Sequence, residues 1–126
     1  MMSYLVVFIG AGVGGSIRHG MNIWVARLLG THFPYHTFVI NIVGSLVMGL
    51  VAGWFAERGG AAGHTRLFLT TGILGGFTTF SAFSLDAVLL WERQELLLTA
   101  LYVGGSVAGA IAGLALALWF MGKALA

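Results

Sequence analysis

Four long apolar runs, at about residues 4–29, 38–55, 67–91 and 96–121, leave this chain few ways to fold. Each reaches or nears the ~20 residues that a helix needs to cross ~30 Å of hydrocarbon. The stretches between them are short and hold most of the charge and the only proline, Pro34. With 59% hydrophobic and 8% charged residues, too little polar surface remains to cover a soluble domain. The reading is an all-α membrane protein, one four-helix transmembrane domain over residues 1–126, with no room for a second domain. Each run also carries one tryptophan near an end: Trp24, Trp54, Trp91 and Trp119. Indoles favour the headgroup boundary, where the ring is buried and the N–H stays wet.

Charge and composition exclude several classes. A net charge of +2, from six scattered basic residues, gives no case for nucleic acid. Without cysteine there are no disulfides and no thiolate ligands. The first run lacks a basic n-region and a cleavage site, so it is expected to be a retained helix. The four histidines, His19, His32, His36 and His64, are scattered, and no nucleophile–base pair stands out, which argues against an enzyme. Four spans put Arg58, Arg66 and Lys123 on one membrane face and Arg27 and Arg93, with Arg18 if it reaches outward, on the other. That near-balance gives the positive-inside rule nothing to act on. Both orientations can then insert, which permits an antiparallel homodimer.

Gly10 to Gly15 fit G-x-G-x-x-G after an apolar stretch. A dinucleotide site would need a βαβ unit and an acidic residue about 20 positions on. The first acidic residue is Glu57. A small-residue face for close helix packing fits better. Gly105, Gly109 and Gly113 repeat that logic in the fourth run. Arg18 admits two readings that are compatible: a guanidinium reaching headgroups or carbonyls, or a fixed positive charge near the mouth of an anion path. Asn41 and Ser45 lie one turn apart, as do Tyr102 and Ser106. Alone, an amide in a span reads as interhelical glue, although it also offers two N–H donors.

The third run is the most informative. Its segment Gly75-Gly76-Phe77-Thr78-Thr79-Phe80-Ser81-Ala82-Phe83 sets poor helix formers and hydroxyls at mid-membrane depth. Irregular backbone survives there only inside protein or along a wet cavity. A break at this segment, near the bilayer midplane, would free carbonyl oxygens for a partner helix or a small cation. Phe80 and Phe83 share a face, with Ser81 and Ser84 on the adjacent one.

That segment closely resembles the signature G-G-x-T-T-F-S-T-F of the Fluc (CrcB) fluoride-channel family, through Gly75, Gly76, Thr78, Thr79, Phe80, Ser81 and Phe83. Arg18 in the glycine-rich first helix, Asn41-x-x-Gly44 and Tyr102-x-x-x-Ser106 extend the resemblance over essentially the whole chain. It implies a fluoride-selective channel giving passive efflux from a bacterial inner membrane, built as a dual-topology homodimer with two pores. The third helices would cross at their breaks around a structural Na⁺ held by the main-chain carbonyls of Gly75 and Thr78 from each chain. Phe80 and Phe83 map to pore-lining rings, Asn41 to a pore-side amide, and Tyr102, Ser106 and Ser81 to polar groups along the path. Ala82 stands where the signature has threonine, and Ala110 where relatives can carry serine. Hydroxyl and amide donors, and the positive edges of phenyl rings, suit a small, strongly hydrated anion. The rivals are a small proton-coupled multidrug exporter, which would want a glutamate in the first helix, and a non-conducting assembly subunit, which leaves Thr78 to Ser81 unexplained.

Overall fold

A computed structural model describes residues 1–58 and 63–124. Among these the chain is entirely helical. Helix α1 spans Met2–Leu29 and α2 spans Tyr35–Glu57. The third run is composite: α3 (Gly63–Leu67) widens into a π-helical stretch at Phe68–Leu74 and tightens again as α4 (Gly75–Phe77). After Thr78 and Thr79 the chain resumes as α5 (Phe80–Glu92), and α6 covers Leu96–Ala124.

Local chemistry explains the ends. Gly30 stops α1 at φ 79, a left-handed conformation that costs glycine least, and its N–H donates to the Ala26 carbonyl at 2.9 Å. Pro34 immediately precedes α2, where its missing N–H is no loss. Between α5 and α6, Gln94 adopts φ 60 to turn the chain sharply.

Three segments, Tyr35–Glu57, Gly63–Glu92 and Leu96–Ala124, are long and apolar enough to cross a membrane. At 28 residues α1 has the length, but Arg18, His19, Asn22 and its glycines dilute its apolarity. The expected count of four spans is thus met by length in every case and by composition in three. Large apolar side chains cover the outside: Phe8, Leu85, Leu97, Ile111 and Phe120 are all exposed, as are the four tryptophans. The buried apolar set is small, with Ile40, Leu90 and Tyr102 at its centre. Since lipid is as apolar as leucine, such helices associate through close packing rather than through burial from water.

Glycine makes that packing possible. A Cβ on Gly10 would stand 2.8 Å from the Gly72 Cα, and one on Gly14 would overlap the Ile73 carbonyl. Gly10 and Gly14 are therefore the seat of the third run on α1, whereas an added Cβ on Gly12 or Gly15 would meet nothing within 4 Å. In α6, Gly105 and Gly109 face Phe38 and Ile42 of α2, and a Cβ on Gly49 of α2 would lie 2.6 Å from the Leu114 carbonyl in return.

Within the segment expected to break, the unwinding falls on the two threonines and not on the glycines. Gly75 and Gly76 remain helical, while Thr78 (φ −79, ψ 157) and Thr79 (φ −151, ψ 121) are extended. The reason is steric. Gly76 is needed for approach, since a Cβ there would lie 2.5 Å from the Ala11 carbonyl. The β-branched threonines tolerate extended backbone well, so the unwinding falls to them.

Candidate functional site

Every polar group freed by the break must find a partner or a ligand. The Thr79 N–H donates to Asn41 Oδ1 at 2.9 Å, and Asn41 Nδ2 donates to the Thr79 carbonyl at 2.9 Å. The Thr79 hydroxyl accepts from the Ala82 N–H at 3.1 Å and so caps α5. Both donors are diverted from helical duty. In an unbroken helix Thr79 N–H would serve the Gly75 carbonyl and Ala82 N–H the Thr78 carbonyl. Those two oxygens, the pair expected to ligate a cation, lose their helical donors to Asn41 and to the Thr79 side chain.

Beside the break lies a cavity of about 240 Å³. Asn41, Ser45, Phe80, Phe83 and Ser106 line it together with the two threonines. The Phe80 and Phe83 rings stand 5.5 Å apart, centre to centre. Phe80 is 79% exposed, so on a single chain one wall of this cavity is open. Ser106 Oγ is buried without a hydrogen-bond partner, the kind of group whose pairing awaits something in the cavity. Ala110, one turn beyond Ser106, continues the wall without a hydroxyl.

Not every expected residue reaches that cavity. Ser81, Arg18 and Ala82 instead line a second one of about 460 Å³, with Asp86, and Thr79 borders both. The Ser81 hydroxyl lies 3.2 Å from that of Thr79. Tyr102 is fully buried between the two regions, its ring 5.3 Å from that of Phe83 and 5.6 Å from that of Phe33. Its hydroxyl donates to Asp86 Oδ2 at 3.1 Å. Sequence reasoning did not find this pairing of Asp86. The available signal was its place one turn after Phe83 on the same face of α5.

The model of one protein family, described as CrcB-like protein, Camphor Resistance (CrcB), matches residues 5–118. The chain belongs to the CrcB family. A relative from Rhodopseudomonas palustris (strain BisB5), named fluoride-specific ion channel FluC, is 66% identical over 113 residues, covering 90% of this chain and 91% of its own length. A protein of the same name from Methylobacterium nodulans is 64% identical over 113 residues, at 90% of each chain. A Nitrobacter hamburgensis protein named fluoride-specific ion channel FluC 2 is 59% identical, at 90% and 91%. In this CrcB-family chain the apolar helices and the family agree on a multi-pass membrane protein.

Proposed function

We propose that this CrcB-family chain forms a fluoride-selective channel in a bacterial inner membrane, passing the ion passively as an inverted pair with two pores. The observation that carries the reading is the helix break at Thr78 and Thr79 beside a cavity walled by two phenyl rings, an amide and an unpaired hydroxyl. Identity of 59–66% to relatives named as fluoride channels supports the choice of ion. All four helical runs span the membrane on this reading, α1 included, because its polar residues face protein and the second cavity rather than lipid. The open wall at Phe80 is closed by a second, inverted copy.

The residues divide the task. Fluoride surrenders its water only to donors placed as closely as water's own. The second N–H of Asn41 and the hydroxyls of Ser45 and Ser106 are such donors at the cavity wall. Phe80 and Phe83 turn their positive ring edges to the ion, a weak attraction that lets it leave as well as enter. Arg18 supplies positive charge at the second cavity, where Ser81 is the hydroxyl available. The Gly75 and Thr78 carbonyls are hard oxygen donors and suit Na⁺. Bound there, Na⁺ supplies a fixed positive potential that offsets the cost of an anion at mid-membrane.

Vesicles carrying the purified protein are expected to release fluoride and retain chloride. Equal release of both ions would refute selectivity, and fluoride release that stops when a proton gradient collapses would favour a coupled exporter. Phe80→Ile or Phe83→Ile should slow fluoride release about tenfold or more, equivalent to about 1.4 kcal/mol on the barrier. The paired state should persist.

A further inference from the structure

Two side chains stand where a pair of cavities meet, and the fluoride reading above does not use them. The inner cavity is the one of about 460 Å³ that reaches Arg18 and Ser81. The outer, about 100 Å³, lies under the loop end against Thr31, His32 and Arg93. His36 and Asp86 line both, so they form the neck between loop end and helix break. His36 Nδ1 is buried there without a hydrogen-bond partner. A buried polar nitrogen left unpaired costs about 1–3 kcal/mol, a cost recovered when something entering the neck pairs with it.

The charges around the neck are unevenly answered. On the loop side Arg93 faces Glu95 at 3.6 Å and donates to the His32 carbonyl at 2.8 Å, while His32 itself lies 3.3 Å from Glu95. On the α1 side stand Arg18 and His19. From α5 comes Asp86, whose carboxylate takes only a neutral hydroxyl from Tyr102 of α6. From α2 comes His36 alone. An ionised Asp86 opposes any anion at this point, and a neutral imidazole does nothing to offset it.

Resting on the channel reading, we propose that His36 is a proton-set element of the fluoride path. As imidazolium it answers Asp86 and offers Nδ1–H to an anion crossing the neck. As neutral imidazole it leaves Arg18, across the inner cavity, to offset the carboxylate. Protonation adds both a donor and a positive charge to the ring at the neck, so fluoride flux rises with acidity.

The test is fluoride release from vesicles at about pH 7.5 and about pH 5.5, with the leak of protein-free vesicles subtracted because the neutral acid crosses lipid unaided. The wild-type rate is expected to rise about fivefold, equivalent to about 1 kcal/mol. His36→Gln should be flat across that range, and so should His36→Asn, which serves if the glutamine form does not assemble. His32→Gln and His19→Gln should keep the acid rise. Retention of the rise in both His36 variants, or its absence from the wild type, would overturn the role of His36 while leaving the channel intact. A wild-type protein that passes no fluoride at either pH would overturn the channel reading and this inference together.

Discussion

Because an amide carries both an acceptor and two donors, Asn41 can hold the Thr79 backbone by its two polar edges and keep one N–H for the cavity it lines. This makes it glue and wall at once, the two roles between which its sequence position does not choose. Replacing it by alanine would leave the Thr79 N–H and carbonyl unanswered at mid-membrane. Hydrogen bonds between membrane helices are worth roughly 0.6–2 kcal/mol each, so Asn41→Ala should cost about 1–4 kcal/mol and also slow fluoride release. Ser106→Ala separates the two effects. Its hydroxyl stabilises nothing in the fold, since it has no partner, so stability should hold while flux drops. Unfolding in a titrated denaturing detergent, read beside vesicle efflux, checks both. An Asn41→Ala protein as stable as wild type would show that the break does not need the amide.

At the scale of elements, the molecule depends on how closely the third run lies on α1. Gly14 sits where any Cβ would overlap the Ile73 carbonyl, whereas Gly20, further along the same helix, has nothing within 4 Å of an added Cβ. Backbone cannot give way as a flexible side chain can. Gly14→Ala should therefore destabilise by about 1–3 kcal/mol, the usual cost of overpacking. Gly20→Ala should be neutral, or stabilising by up to about 1 kcal/mol through helix propensity. Thermal unfolding in detergent separates them, and equal effects would show that the α1 seat has room for a methyl group. The same elements show what sequence could and could not reveal. Glycine spacing announced the packed faces of α1 and α6 because small side chains recur at helical intervals. The hydroxyl-rich stretch announced a break, but glycine has two uses, and only the neighbouring Ala11 carbonyl reveals that Gly76 serves approach rather than unwinding. The π-helical stretch at Phe68–Leu74 holds the poor helix formers Thr70, Thr71 and Gly72, but propensity alone does not tell a widened turn from an ordinary one. The division of Ser81 and Asn41 between two cavities, and the Tyr102 bond to Asp86, depend on how α5 is rotated after the break. Periodicity within one helix cannot report that rotation.

At the scale of the whole molecule, the bonds among His32, Arg93 and Glu95 tie the α1–α2 connection to the α5–α6 connection. Those two connections lie at one end of the bundle. Arg27 and Arg93 belong to that end, Arg58 and Arg66 to the other with Lys123, and Arg18 lines the second cavity between helices. Orientation in the membrane follows the excess of lysine and arginine in short loops, and here neither end holds a decisive excess. A chain with no preferred orientation supplies both members of an inverted pair from one sequence. Such a pair would close the open wall beside the exposed Phe80, as the channel reading proposes. The absence of cysteine makes the idea directly measurable, because a single Ala124→Cys substitution introduces the only thiol in the chain. A membrane-impermeant thiol reagent added from one side of intact cells should label about half of these chains, and the rest only after the membrane is opened. Adding three lysines beside Arg58 should drive the label to one side and abolish fluoride release. Co-expression with a form carrying three lysines beside His32 should restore release, since the two biased chains then insert in opposite senses. Labelling of every wild-type chain from a single side would remove the inverted pair, and with it the second wall of the pore.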